Sequence, residues 1–177
     1  MVVTASLAVT ALDRDTAVVA LAACAAGRGF AIAYDLLSDR AEAEDAVQEA
    51  LVRALAGLHR VREPAALEGW YYRVLSNLCI RWLRRRRVVG AFARLVAARG
   101  EPAAAARDLA PDHARVVAAL DALPAMQKAA MVLRYGHELG LDEIADVLDV
   151  GVESVKTHLK RGRARVRAQL GVLDATR

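Results

Sequence analysis

Basic and hydroxyl side chains are concentrated in one stretch near the C-terminus, residues 153–167. Lys and Arg neutralise phosphates, whereas Ser, Thr, Glu and Arg can hydrogen-bond to base edges in the major groove. The stretch therefore predicts binding to duplex DNA. We expect base edges to meet Glu153, Ser154, Thr157 and Arg161, and phosphates to meet Lys156, Lys160 and Arg163.

This stretch is the second half of a helix-turn-helix pattern over residues 140–170. Apolar residues recur at three- and four-residue steps in both halves, which places them on one face of each helix. Gly140 and Gly151 stand where the two helices are predicted to begin, and glycine is tolerated at an N-cap. The apolar faces comprise Leu141, Ile144, Ala145 and Leu148, then Val155, Leu159, Gly162, Val166 and Leu170.

A second cluster combines aromatic rings with arginines in residues 70–87. Unstacked bases can lie on such rings while their backbone lies on positive charge, so the cluster suits single-stranded DNA. The alternative is that the rings are core residues and the arginines only solvate a helix end. The cluster lies on a helix predicted from about Leu67 to beyond Arg84, after a loop broken by Pro64. Its members are Trp70, Tyr71, Tyr72, Asn77 and Trp82, with Arg73, Arg81 and Arg84–Arg87.

A third helix is predicted to begin after Ser38 and Asp39, whose side chains can accept hydrogen bonds from its first amides. Apolar spacing predicts a buried side formed by Val47, Ala50, Leu51, Ala54, Leu55 and Leu58. The outward side is then Asp45, Gln48, Glu49, Val52 and Arg53. This acidic face could bind a protein, although by itself it is more typical of a face that serves solubility and the helix dipole.

The composition favours an all-α protein. The 177 residues are 56% hydrophobic but only 5% aromatic, which argues against an all-β sandwich. The formal net charge is +4, yet acids gather in residues 39–49 and bases in 81–87 and 156–167. Such segregation indicates two different partners, and we expect two small helical domains.

The Ala, Gly and Pro content of residues 100–112 marks the predicted domain boundary. Residues 1–14 are expected to form a tail, residues 15–99 the first domain, and residues 113–173 the helix-turn-helix domain. Residues 100–112 would then be a linker between them.

Several helix starts can be predicted. Asp15 is predicted to cap a first helix that runs toward Gly27, and a further helical run begins at Phe30. Pro111 and Pro124 are predicted to open helices of the second domain.

Other classes of protein are disfavoured. Cys24 and Cys79 lie far apart without a CxxC motif, so we expect buried thiols in a reducing cytoplasm and no disulfide. The apolar N-terminus lacks a basic leader and is interrupted at residues 13–15, well short of the about 20 residues that a membrane span needs. Scattered histidines and the lack of a Gly-rich phosphate loop predict no enzyme activity, no metal and no cofactor.

Four motif blocks resemble the extracytoplasmic-function group of bacterial sigma factors, in the order and spacing of that family's regions two and four. The resemblance extends from about Cys24 over nearly all of the remaining chain. The blocks are DRAEAEDAVQEALVRAL (39–55), EGWYYRVLSN (68–77), LPAMQKAAMVLRY (123–135) and DEIADVLDVGVESVKTHLKRGRARVR (142–167).

The resemblance implies an initiation factor that binds core RNA polymerase, reads the minus-35 promoter element with its C-terminal domain and melts the minus-10 element with its N-terminal domain. It also implies that the beta flap of the polymerase binds the C-terminal domain, and it makes an anti-sigma factor a further candidate partner. The clamp helices of the largest polymerase subunit would bind Asp45, Gln48, Glu49, Val52 and Arg53. Minus-10 DNA would bind Arg62, Glu63, Trp70, Tyr72, Arg73, Asn77 and Arg81.

Two alternatives remain open from the sequence. SVKTHL (154–159) also resembles the helix-turn-helix of LuxR-group regulators, although nothing in residues 1–100 indicates the receiver or ligand-binding domain that such proteins carry. The segment before Asp35 is apolar where the sigma family has a charged and aromatic helix, and Arg81 stands where that family often has Asp or Asn. These departures would suit a sigma-like protein that binds partners without initiating transcription.

Overall fold

The computed structural model describes residues 14–96 and 111–171, and within these ranges the regular structure is helical, with no strand. The predicted all-α fold is confirmed. The predicted tail and linker lie almost entirely outside the described residues. The first half contains α1 (Arg14–Cys24), α2 (Phe30–Leu37), α3 (Arg40–Gly57) and α4 (Leu67–Val96), and the second half α5 (Pro111–Asp121), α6 (Ala125–Met131), α7 (Leu141–Leu148) and α8 (Val152–Leu170).

A kink at Gly27 separates α1 from α2. Gly27 has non-helical dihedral angles (φ −92°, ψ −113°) within a π-helical turn over Ala25–Gly29. The whole run Arg14–Leu37 is long and apolar enough to cross a membrane by length and composition alone. An apolar core helix meets the same criterion, and Leu21 and Ile32 of this run are fully buried among the other helices. The predicted cap at Asp15 is wrong, because Asp15 lies inside the first turn of α1.

Ser38 and Asp39 lie at the junction between α2 and α3 and have different roles. Asp39 caps α3 as predicted, since its Oδ1 accepts a hydrogen bond from the Glu42 amide at 2.9 Å. Ser38 does not share in this cap. It ends α2 in the left-handed conformation (φ 63°), and its amide donates to the Tyr34 carbonyl. Its hydroxyl is therefore free to face α5.

Alanines form the buried side of α3, which allows the neighbouring helices to approach closely. They are Ala43, Ala46, Ala50 and Ala54. Leu55 was predicted to be buried, but its side chain is 39% exposed. Leu55 follows the buried Ala54 and therefore points about 100° away from it around the helix. Its side chain lies at the edge of the contact that the alanines make.

Helix α4 is the central element of the fold. It contacts α1, α2 and α3 on one side and α6 and α7 on the other. Tyr71, Leu75 and Cys79 are fully buried along it, and a single apolar cluster joins residues from both halves of the chain. The 30-residue helix continues through Val88, which supports the interpretation of residues 88–96 as an extension rather than a separate helix.

The helix-turn-helix prediction is confirmed by α7 and α8. Gly140 and Gly151 occupy their N-caps in extended conformations, as predicted. Helix α8 packs against α6 so closely that a Cβ atom on Gly162 would lie 2.8 Å from Cγ of Met131. Glycine at this position therefore sets how near α8 can approach α6.

Candidate nucleic-acid and polymerase interfaces

The exposed side of α8 lies opposite its packing stripe. Val155, Leu159 and Gly162 are buried against the rest of the domain. The structure brings the predicted duplex-contacting residues together on the surface that remains. Exposed there are Glu153, Ser154, Lys156, Thr157, Lys160, Arg161 and Arg163.

Two polar groups on α8 have altered protonation behaviour. Lys156 Nζ donates to Glu153 Oε1 at 2.6 Å, and this hydrogen bond raises the pKa of Lys156. Partial burial, followed by the charge of Arg161, lowers the pKa of His158. The lowered pKa disfavours a positive charge on His158, so the cationic character of this surface comes from Lys and Arg.

Arg165 has a different role from the other bases of α8. Its Nη1 donates to Gln127 Oε1 at 3.0 Å, which joins α8 to α6. Gln127 is itself buried. This arginine therefore holds the helix on its domain.

The predicted single-strand cluster on α4 is only partly on the surface. Arg62, Glu63 and Arg81 are exposed, whereas Trp70, Arg73 and Asn77 are half-buried. Tyr72 is 5% exposed and donates from Oη to Glu68 Oε1 at 2.8 Å, and burial raises its pKa above the ordinary tyrosine value.

Helix α7 accounts for part of this burial. It packs against α4, and the residue that ends it, Asp149, forms an ion pair with Arg73. Residues three and four positions away on a helix share a face, so Trp70 and Asn77 lie on the Arg73 side of α4. On that same side Ser76 is fully buried. The second half of the chain therefore contacts the cluster at Arg73, whereas the Trp70 ring lies beside Gly57 of α3.

The predicted outward side of α3 is a continuous surface. Asp45, Gln48 and Arg53 are exposed, and Glu49 is half-buried in an ion pair with Arg53. Val52 is 68% exposed in the midst of these polar groups. A single exposed aliphatic residue among charges is ordinary on a protein surface, so this face does not by itself identify a partner.

Comparison with known proteins identifies the family. Residues 26–88 match the model of Sigma-70 region 2, and residues 113–166 match that of Sigma-70, region 4. The chain is 32% identical over 157 residues to the ECF RNA polymerase sigma factor EcfG of Rhodopseudomonas palustris, covering 86% of this chain and 83% of that protein. The chain belongs to the extracytoplasmic-function group of sigma-70 family sigma factors. This sigma factor is also 29% identical over 147 residues to RNA polymerase sigma factor SigV of Bacillus subtilis, covering 80% and 83% of the two chains.

The fold of the sigma factor agrees with that of a solved relative. That relative is the sigma factor RpoE of Bartonella quintana, solved in complex with the anti-sigma factor NepR. The match covers 91% of this chain and 98% of the RpoE chain, with a TM-score of 0.62 and 23% identity. At 23% sequence identity this structural similarity supports the fold alone. As a sigma factor the protein directs RNA polymerase to promoters, and the LuxR-type alternative is not favoured.

Sequence reasoning missed a polar cluster between the halves that match region 2 and region 4. Lys128 of α6 is only 2% exposed, and its Nζ donates to Asp121 Oδ1 at 2.6 Å, to Ser38 Oγ at 3.1 Å and to the Leu36 carbonyl. The only available signal was a single lysine within the apolar segment of residues 125–133. Such a lysine predicts a buried charge with partners but does not say where those partners lie in the chain.

Proposed function

We propose that α8 of this sigma factor reads the minus-35 duplex, that α4 and the loop before it bind and open minus-10 DNA, and that the outward face of α3 binds the clamp helices of core RNA polymerase. The observation that carries the proposal is the exposed cationic face of α8 opposite its buried stripe. A surface of that shape and charge fits the major groove, as helix-turn-helix proteins do.

The proposed minus-35 contacts divide by chemistry. Glu153, Ser154, Thr157 and Arg161 lie on the leading half of α8, where a helix in the groove meets base edges. Each good base contact discriminates by about 1–3 kcal/mol, whereas phosphate contacts add affinity on every sequence. We assign the phosphate role to Lys156, Lys160 and Arg163.

The proposed minus-10 site begins at the loop before α4. Exposed Arg62 and Glu63 lie in that loop, and Asn77 lies farther along the same helix. A base that leaves the stack can be held by such polar groups while the strand follows the arginines. The remaining members of the proposed site are Trp70, Tyr72, Arg73 and Arg81, of which Tyr72 supports the helix from within because it is buried.

We further propose that residues 15–99 and 113–173 act as two DNA readers joined by residues 100–112. A covalent connection presents the second reader at an effective concentration on the order of millimolar, so two modest sites bind together more tightly than either alone. The beta flap of the polymerase is the proposed partner of the second unit. Because the solved relative binds an anti-sigma factor, such a protein is a further proposed partner, and the proposed location is the cytoplasm.

Run-off transcription tests the central proposal. Transcripts whose start sites depend on this protein would first be mapped, and one such promoter would then be transcribed with core polymerase in the presence and absence of the full chain. A correctly started product only in its presence supports the proposal. Core polymerase that retains the protein but yields no product would instead favour a non-initiating sigma-like protein, and failure to bind the polymerase would refute the polymerase interface.

A further inference from the structure

His158 lies at the edge of the exposed side of α8 and is not among the proposed minus-35 contacts. It lines a shallow cleft of about 250 Å³ together with Glu153, Ser154 and Thr157. Glu153 and Thr157 are four positions apart, as are Ser154 and His158, so each pair shares one side of the helix. The cleft faces away from the buried stripe that begins at Val155. The ring of His158 therefore borders the same cleft as three side chains proposed to meet base edges.

The two ring nitrogens of His158 lie in different surroundings. Nδ1 is buried and has no hydrogen-bond partner within residues 14–96 and 111–171. Nε2 is neither buried nor bonded to another residue of these ranges, and the residue as a whole is half-buried. The accessible polar atom of the ring is therefore Nε2. It is the atom that a molecule in the cleft can reach.

This difference decides where the proton of a neutral His158 ring lies. A neutral imidazole has one N–H donor and one acceptor nitrogen. A buried N–H without a partner is rarer in proteins than an acceptor in the same position, because the lost hydrogen bond is costly. The surroundings thus assign the proton to Nε2. A second proton would place a donor and a charge at the buried Nδ1, and burial, followed by the charge of Arg161, lowers the pKa of His158.

A single neutral donor suits a different contact from the cations around it. Lys156, Lys160 and Arg163 carry the charge that makes hydrogen bonds to phosphate strong. One N–H donor instead matches the acceptors of the major groove, which are N7 and O6 of guanine, N7 of adenine and O4 of thymine. Cytosine presents its N4 amino donor in the groove, so it would meet the donor of His158 with another donor.

We infer that His158 is a further specificity-determining residue of α8, whose Nε2–H donates to a base acceptor of the minus-35 duplex from the cleft that it shares with Thr157. This role rests on the proposed function of α8. It adds one rule to that function, since cytosine is disfavoured on the strand that His158 contacts. Arg161 lies three positions farther along the same side of α8, so the two side chains would read neighbouring bases.

Two amide substitutions distinguish the two nitrogens. In His158→Gln the amide nitrogen is as many bonds from Cα as Nε2 of histidine, so an N–H donor stays in the cleft. In His158→Asn the side chain is one bond shorter and its amide matches the position of the buried Nδ1, so the cleft loses its donor. Both replacements are neutral amides. They differ in where the donor lies and not in charge.

The test uses the holoenzyme, made from the full chain and core polymerase, on promoter fragments in which each minus-35 base pair is randomised. Sequencing the bound and the unbound fragments measures the base preference at each position. At one position His158→Asn should reduce the discrimination against cytosine by about five- to tenfold, the lower part of the range for a base contact because only one hydrogen bond is lost. His158→Gln should keep this discrimination within about twofold of the unsubstituted chain.

Ring-nitrogen NMR spectra of the full chain test the same role without relying on the fold of His158→Asn. The signals that disappear in His158→Gln identify the residue. We expect the neutral form with its proton on Nε2 in the free chain. Adding a minus-35 duplex should shift the Nε2 signal more than the Nδ1 signal, because Nε2 alone donates to the base.

Four results would overturn the inference. They are a proton on Nδ1 in the free chain, full discrimination against cytosine in His158→Asn, equal loss of discrimination in both amide variants, and equal loss of affinity on every sequence, which would make His158 a phosphate contact. Arg161→Ala in the same assay reports on the proposed function. If Arg161→Ala changes a minus-35 preference and His158→Asn does not, α8 reads the element without His158. If neither variant changes any preference, the proposed reading by α8 fails as well.

Discussion

Gly162→Ala tests how closely α8 must approach α6. The new Cβ would lie 2.8 Å from Cγ and 3.2 Å from Sδ of Met131. Met131 is 8% exposed and belongs to the core cluster, so displacing its Cγ and Sδ would disturb packed neighbours. Overpacking of this kind costs about 1–3 kcal/mol. Against it stands the helix propensity of alanine, which is about 1 kcal/mol better than that of glycine within a helix.

Gly69→Ala is the matched control for this prediction. Gly69 lies in the first turns of α4, and a Cβ there would meet nothing within 4 Å. It gains alanine's propensity without the clash and should stabilise the protein by up to about 1 kcal/mol. We therefore expect the free energies of unfolding of the two variants to differ by about 1–3 kcal/mol, with Gly162→Ala the less stable.

Thermal unfolding followed by circular dichroism measures this difference. For a chain of this size each 1 kcal/mol corresponds to a change in Tm of about 2–4 °C. In a Met131→Ala background the clash partner is absent, so Gly162→Ala should then become stabilising. A Gly162→Ala chain that gains as much Tm as Gly69→Ala would refute the close-approach argument.

Three further predictions concern the proposed interfaces and pH. Asp45→Arg should weaken binding to core polymerase by at least about tenfold in a pull-down titration, because it reverses a charge at the proposed interface. Glu44→Arg, about 100° away around α3, is its control. Equal loss of binding in both variants would contradict a specific role for Asp45. Arg161→Ala should lose about 1–3 kcal/mol of discrimination between minus-35 sequences, whereas Lys160→Ala should weaken all sequences equally. If the two variants lose affinity equally on every minus-35 sequence, Arg161 is a phosphate contact. Because the folded pKa of His158 is lowered, the unfolded chain binds more protons, and stability should fall as pH drops below about 6.5. His158→Gln should reduce this loss of stability in thermal melts between pH 7 and 5. An unchanged dependence of Tm on pH would contradict the role given to His158.

Local patterns were enough to predict the elements that carry the candidate sites. The three- and four-residue apolar steps of α7 and α8 predict which side of each helix is buried, because helical geometry relates spacing directly to direction. The Asp39 cap was likewise predictable, since it depends on an amide only three residues away. The exposed positions of Arg161 and Asp45 follow from the same local rule.

Burial on α4 could not be predicted in this way. Tyr72 was predicted to contact DNA, yet it is 5% exposed, because helices from both halves of the chain pack against α4. Ser38 was predicted to cap α3, yet its hydroxyl bonds to Asp121, a residue 83 positions away. A sequence pattern contains no information about which distant helix supplies a partner.

The sequence by itself determined the all-α class and the cationic face of α8, because each depends on residues within a few turns of one another. It also determined the sigma resemblance, because that depends on the order of four motif blocks along the chain. The tertiary structure alone decided that Lys128 is bonded across the two halves and that α7 covers one side of α4. The physical reason is that burial of a charge and coverage of a surface arise from contacts between segments about 90 residues apart. Those contacts exist only once the chain has folded.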